Sequence, residues 1–247
     1  MHIEFRMSLW NYIHYASCPP LEGVMAEIRG LGMGAELWDR WRDQTGLFSP
    51  AQRDRMKALV EGMKVSMHTI MPRDRAMTWE ENVEQIDTAA YIGADAIVAH
   101  VSSTGIGAPD ADYRLLRDAV NYAEDKGVTL AIENGDAHAI GRALPEVPNL
   151  KTCLDTGHVY NDGFTMPEVL GIMGDRIVHL HLQDRLPHLD HYVPGTGIIP
   201  QEDWKLLFAH LKKINFQGAG VFELRPRRPD VSVKEGMAFV EAMAEQA

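Results

Sequence analysis

The sequence predicts an α/β fold: a single-domain (β/α)8 TIM barrel over residues 1–247, with the active site at the C-terminal rim of the strands. Helical and strand patterns alternate almost to the end of the chain, which implies parallel strands joined by crossovers. The repeat occurs about eight times, which favours a closed barrel over an open sheet. The strand segments are short and apolar on both faces, as expected where helices cover one side.

In the first half of the chain, strands are predicted over residues 3–10, 35–38, 65–70 and 96–101. Helices are predicted over residues 21–30, from Pro50 through Val60, and over 78–92. Thr78 is the expected N-cap of the third helix, because a threonine side chain can accept from the first free backbone N–H groups. The segment STGIGAPD at 103–110 is expected to form a loop over the rim.

In the second half, strands are predicted over residues 128–133, 150–155, 177–182 and 219–224. Helices are predicted over residues 113–126, 167–173, 201–213 and 232–244, the first of them ending at Gly127. Between the fifth and sixth strands only a short or irregular element is expected, because Pro145 and Pro148 interrupt the segment.

Charge and composition disfavour several classes of partner. The net charge is −11, from 35 acidic and 24 basic residues, which gives no general attraction to nucleic acid. No apolar run is long enough to cross a membrane, and the first ten residues do not resemble a secretory signal. The two cysteines, Cys18 and Cys153, form no disulfide framework, so a reducing, cytoplasmic location is expected.

Apolar strand segments repeatedly end at a residue that can bind a metal or transfer a proton. These residues are His68, His100, Glu133, Asp155, His181 and Glu223, with His158 three positions after Asp155. In a barrel the C-terminal strand ends meet at one rim, so we expect these side chains to share one pocket. His179, deeper in the seventh strand, is expected to be structural.

A metal site would remove the cost of burying several ionisable groups together. Glu133, Asp155, His181 and Glu223 would supply three carboxylates and one imidazole to one divalent ion. This oxygen-rich set favours Mn²⁺, Mg²⁺ or Co²⁺, with Zn²⁺ as the alternative.

Five segments resemble the xylose-isomerase-like superfamily of sugar and sugar-phosphate isomerases and epimerases. They are AIEN around Glu133, CLDTGH at 153–158, HLHLQD at 179–184, HYVPGTG at 191–197 and VFEL around Glu223. The resemblance implies that Glu133, Asp155, His181 and Glu223 bind one divalent metal and that His158 contacts substrate. It also implies a homodimer or homotetramer.

The resulting hypothesis is an isomerase, of the aldose–ketose isomerase or ketose 3-epimerase type, acting through a metal-stabilised enediolate. Glu133 and Glu223 would remove and return the proton of a small carbohydrate or hydroxy-carbonyl substrate. Substrate binding is assigned to His68, His100, His158, His191 and Arg225, the last of these as a partner for a phosphate or carboxylate.

Three alternatives remain. Similar barrels dehydrate sugar-like or polyol substrates by the same proton abstraction. The superfamily also includes apurinic endonucleases with a multi-zinc site, and His68, His100, His158 and His191 match further ligands of that site. The endonuclease pattern, however, has an aspartate where this chain has Leu189, with Asp190 one position out of register. A non-enzymatic scaffold would be expected to have lost a metal position, and none is missing.

Overall fold

A computed structural model describes residues 1–13, 19–41, 44–69, 75–225 and 229–247. Eight parallel strands close into a barrel in which each strand pairs with its sequence neighbours and the first pairs with the last. The strands are β1 (His2–Ser8), β2 (Gly34–Leu37), β3 (Val65–His68), β4 (Ala96–His100), β5 (Thr129–Glu133), β6 (Lys151–Asp155), β7 (Ile177–Leu182) and β8 (Gln217–Phe222). The predicted (β/α)8 barrel is therefore confirmed.

Helices follow the strands and bury their apolar faces against the barrel. The α-helices span Trp10–Ile13, Leu21–Gly30, Arg53–Leu59, Trp79–Ile92, Val101–Thr104, Arg114–Asp125, Ala137–Glu146, Thr156–Asn161, Met166–Met173, Gln201–Lys213 and Pro229–Gln246, and a 3-10 turn spans Gly174–Arg176. The predicted cap at Thr78 is confirmed: its hydroxyl accepts from Glu81 N at 3.3 Å, and the Glu81 carboxylate accepts from Thr78 N at 2.8 Å.

The segment after β5 corrects the sequence prediction. A ten-residue helix, Ala137–Glu146, occupies the place where only a short or irregular element was expected. The Asp136 side chain caps it by accepting from Ala139 N at 3.0 Å. Pro145 lies in the last turn, where its missing N–H removes one helical hydrogen bond near the end instead of interrupting the middle. The predicted loop at 103–110 likewise begins inside the helix Val101–Thr104.

Two short antiparallel hairpins extend the rim. One pairs Arg40–Trp41 with Gln44–Thr45, and the other pairs Asp184–Leu186 with Leu189–Tyr192 directly after β7. Cys153 is buried in β6, whereas Cys18 lies outside the described residues. Within the described ranges, no helix combines the length and the apolarity that crossing a membrane would need.

Candidate active site

Glu133, the last residue of β5, lies at the centre of a ring of histidines. It is 1% exposed, and its Oε2 is 2.6 Å from His100 Nε2 and 3.5 Å from His68 Nε2. Its Oε1 is 3.0 Å from His181 Nδ1 and 3.2 Å from His158 Nδ1. Burial by itself raises the pKa of Glu133, but His100, His181 and His158 together hold that pKa well below its usual value. Glu133 is therefore an anion between four imidazoles.

His181 on β7 presents one ring nitrogen to three carboxylates. Its Nδ1 is 3.0 Å from Glu133 Oε1 and 3.8 Å from both Asp155 Oδ2 and Glu223 Oε2. These are the four residues expected to bind metal, and the structure brings all of them together at the rim. Burial opposes a charge on His181, yet the surrounding acidic groups raise the pKa of its ring well above the ordinary value.

Glu223 directly follows β8, and a residue of the neighbouring strand β1 holds its side chain. Ser8 Oγ, at the end of β1, donates to its Oε1 at 3.0 Å. The side chain is buried, and burial raises the pKa of Glu223 to about 8, with the charges of Glu36, Glu133 and Asp155 acting in the same direction. The two glutamates thus have opposite surroundings: histidines stabilise the charge of Glu133, whereas carboxylates oppose the charge of Glu223.

The DTGH segment fixes Asp155 by local hydrogen bonds. Asp155 Oδ1 accepts from His158 N at 2.8 Å, which caps the helix Thr156–Asn161. Its Oδ2 accepts from Gln183 Nε2 at 2.7 Å. Gly157 is required because a Cβ there would lie 2.6 Å from Gln183 Oε1. The motif therefore aims a carboxylate into the site and leaves room for the amide that holds it.

His191 enters the site from the hairpin after β7. Its backbone has φ of 61°, an unusual conformation for a residue with a side chain. Trp10 stacks on its ring at 4.0 Å between centroids, and Arg225 N donates to its carbonyl oxygen at 2.6 Å. Its Nδ1 is 3.8 Å from Glu223 Oε2. Burial lowers the pKa of His191 to about 4, so the ring is neutral at ordinary pH.

Asp190 also reaches the site, which corrects the expectation drawn from its register. Donor atoms of His158, Asp190 and His191 all lie within 4.8 Å of one another. Successive side chains of a regular strand point to opposite faces, but the positive φ of His191 interrupts that alternation, so Asp190 and His191 both reach the site. Asp190 additionally accepts from Arg225 Nη2 at 3.2 Å, which holds that guanidinium at the edge of the site.

Glu36 is the site residue that sequence reasoning missed. It lies in β2, is fully buried, and its Oε1 is 3.1 Å from His181 Nε2. Its Oε2 is 3.0 Å from His179 Nε2, which lies two residues before His181 on the same strand. A carboxylate inside the apolar segment GAELW was the available signal, since an unpaired charge there would be costly.

The pocket beside these residues is large enough for a small sugar. A cavity of about 460 Å³ lies next to Glu133 and His158 and is lined further by His100, Ser102, Asn134 and Asp136. The wall near His68 is aromatic, because Trp38 stacks on that ring at 4.2 Å between centroids. Trp10 and Trp38 thus contact two of the site's histidines.

The donors fit a divalent metal. Glu133, Asp155 and His181 have donor atoms within 4.8 Å of one another, as do Glu36, His181 and Glu223, and also His68, His100 and Glu133. Glu133 Oε2 and His68 Nε2 are buried and make ion-pair contacts but no aligned hydrogen bond. Buried donors left in this state are the groups that a cation would satisfy.

Comparison with known proteins places these features in a family. The sequence model of one protein family, described as xylose isomerase-like TIM barrel, matches residues 28–243 of this chain. D-psicose 3-epimerase of Enterocloster bolteae is 36% identical over 75 residues, which are 30% of this chain and 23% of that protein. Endonuclease 4 of Thermus thermophilus is 28% identical over 207 residues, covering 71% of this chain and 73% of that protein. The crystal structure of D-allulose 3-epimerase from Methylomonas sp. in complex with D-allulose has a TM-score of 0.75 at 18% identity, covering 98% of this chain and 97% of that one.

Proposed function

The chain belongs to the xylose isomerase-like TIM barrel family, and on that premise we propose that it is a divalent-metal-dependent sugar isomerase or epimerase. One observation carries the proposal: three carboxylates converge on the Nδ1 atom of His181 at the catalytic rim of the barrel. The partial match to a D-psicose 3-epimerase supports a ketose as the substrate class.

Glu133, Asp155, His181 and Glu223 would hold the metal, with Mn²⁺, Mg²⁺ or Co²⁺ favoured over Zn²⁺ because three of the four ligands are carboxylates. A cation bound there would act as a Lewis acid that stabilises negative charge developing on the substrate carbonyl oxygen. The buried position of all four side chains keeps water from competing for these contacts.

Proton transfer is assigned to the two glutamates, and their environments suggest the order. Glu133 has a lowered pKa and is ready to accept the proton on the carbon next to the carbonyl. Glu223, the other glutamate at His181, would return a proton from the opposite face or to the neighbouring carbon.

Substrate hydroxyls would be held by the imidazoles around the cavity, namely those of His68, His100, His158 and His191. Burial lowers the pKa of His68 and of His191, so both rings present a neutral donor or acceptor. Arg225 remains a candidate partner for a phosphate or carboxylate at the edge of the site. We further propose that residues 1–247 act as one domain within a homodimer or homotetramer, which light scattering would test.

The direct test is turnover by protein that has been stripped of metal and then reloaded with Mn²⁺. We expect conversion of at least one member of a panel of free ketoses, ketose phosphates and hydroxypyruvate, abolished by EDTA and restored by Mn²⁺. Loss of water from a polyol in place of isomerisation would assign the chain to dehydratases. Absence of metal binding and of turnover on the whole panel would contradict the proposal.

One observation favours a second candidate function, that of an apurinic endonuclease. The rim contains more than one group of possible metal ligands, and one of these groups consists of His158, Asp190 and His191. The match to an endonuclease 4 agrees with it. The net charge of −11 weighs against a polyanionic substrate. Incision of an oligonucleotide with one abasic site, by protein containing three zinc ions per chain, would favour the nuclease over the isomerase.

A further inference from the structure

We infer that Glu36 is a positioning residue that determines which ring nitrogen of His181 binds the metal. Glu36 lies opposite Ser8 of β1 and Ser66 of β3 in the barrel register, and it is fully buried. Glu36 contacts Nε2, whereas the three carboxylates contact Nδ1 of the same ring, and a carboxylate oxygen of Glu223 lies within 4.8 Å of one of Glu36. The inference rests on the proposed function, because it presupposes that His181 is a metal ligand.

The two nitrogens of His181 have different surroundings. Nδ1 is within 3.8 Å of three carboxylates, whereas the ion pair of Nε2 is with Glu36 Oε1, at 3.1 Å. A neutral imidazole carries one N–H and one lone pair. An anion beside Nε2 stabilises the proton at that nitrogen, although the ring N–H is not aligned on the oxygen as in a hydrogen bond. The lone pair is then left at Nδ1, where the other three ligands converge.

Glu36 is itself held in place, as this role requires. Its Oε2 accepts from Ser66 Oγ at 3.0 Å and is 3.0 Å from His179 Nε2. These two contacts fix the carboxylate without involving its other oxygen, which faces His181. Metal-bound histidines commonly donate their second ring N–H to such a carboxylate, and loss of that partner weakens metal binding about 10–100-fold.

The test compares Glu36→Gln with Ser66→Ala in metal-free protein titrated with Mn²⁺ by calorimetry. Glu36→Gln keeps the shape but removes the anion beside Nε2, and we expect the Mn²⁺ dissociation constant to rise about 10–100-fold. Ser66→Ala removes a hydrogen bond to the same carboxylate and leaves its contact with His181, so we expect a change of less than about threefold. The melting temperature of each metal-free variant separates this effect from a general loss of stability.

Unchanged Mn²⁺ affinity in Glu36→Gln, or an equal loss in Ser66→Ala, would overturn the inference and leave the proposed function intact. A wild-type chain that binds no Mn²⁺ would contradict both. A second measurement needs no variant: ¹¹³Cd–¹⁵N coupling in wild-type protein with ¹⁵N-labelled histidine. Coupling at Nδ1 of His181 is expected. Coupling at Nε2 would overturn the inference, since it would place the cation between Glu36 and Glu223.

Discussion

The two ends of this barrel bury charged groups in opposite ways. At the N-terminal end, the Arg6 guanidinium is 3% exposed and is matched by two carboxylates: it pairs with Glu4 at 2.7 Å and also with Asp95. At the C-terminal rim, Glu133, Asp155 and Glu223 share the imidazole of His181. The base pairs its buried guanidinium with neighbouring carboxylates, whereas the rim gathers three carboxylates around one ring nitrogen, an arrangement that a bound cation would stabilise.

The comparison separates stability from function on the same strands. Arg6 lies on β1 only two residues before Ser8, which holds Glu223 at the other end. The ion pairs at the base contribute to folding, whereas burial of several carboxylates at the rim has a cost that a bound cation would offset. Substitutions at the two ends should therefore affect different measurements.

The largest effect is expected from Glu133→Gln at the rim. The amide keeps the size of the side chain but cannot accept a proton, so turnover of the active substrate should fall about 10³-fold. The melting temperature of the metal-free protein should also fall, because the amide replaces a buried anion that pairs with four histidines, but the protein should remain folded at the assay temperature. Steady-state kinetics and thermal unfolding of the same sample check both parts. A variant that retains a tenth of wild-type turnover would remove Glu133 from the proton transfer.

Metal affinity should rise with pH, which is the next largest effect. The pKa of Glu223 is about 8 in the metal-free site, so at lower pH a proton must leave before the carboxylate can bind a cation. Each pH unit below 8 should then weaken Mn²⁺ binding about tenfold. His181, with its raised pKa, acts in the same direction.

Calorimetric titrations between pH 6 and pH 8 measure this slope. The matched control is Glu223→Gln, which should bind Mn²⁺ more weakly and with a shallower dependence on pH. An affinity that is flat across this range, or that falls as pH rises, would contradict the assignment of Glu223 as a buried, protonated carboxyl.

At the base, Arg6→Met should lower the free energy of unfolding by about 2 kcal/mol. The value is below that of a fully buried pair because Glu4 and Asp95, 31% and 50% exposed, can be hydrated once the guanidinium is gone. Mn²⁺ affinity and turnover should remain within about twofold of wild type. Urea unfolding tests the expected loss of stability, and calorimetry tests the expected Mn²⁺ affinity. A large loss of turnover without unfolding would show that the two ends of the barrel are coupled.

The smallest effect is expected far from both ends, at the N-cap of the helix Trp79–Ile92. Thr78→Ala removes the hydroxyl that accepts from Glu81 N and should cost about 1 kcal/mol of stability. Thr78→Ser retains the hydroxyl and is the control. No change in metal affinity is expected, and a change would indicate that this helix influences the rim.

Much of this arrangement follows from the sequence because strand ends in a barrel have predictable neighbours. Glu133, Asp155 and His181 could be grouped since each ends or nearly ends an apolar strand segment. Glu36 was missed although it nearly ends the apolar segment GAELW, and its partners His179 and His181 could not be named because they lie on the seventh strand, across the barrel interior. Asp190 was misjudged for a related reason: the hairpin that returns it to the rim is set by tertiary packing.

The most direct test of the central claim is solvent deuterium exchange in Mn²⁺-loaded protein incubated in D2O with the substrate found in the ketose panel. Mass spectrometry and NMR should find deuterium at the carbon next to the carbonyl in wild type. Glu133→Gln combined with Glu223→Gln should abolish this incorporation while the protein remains folded. Incorporation that persists in the double variant would contradict the account, because proton transfer would then occur without the two carboxylates at the rim.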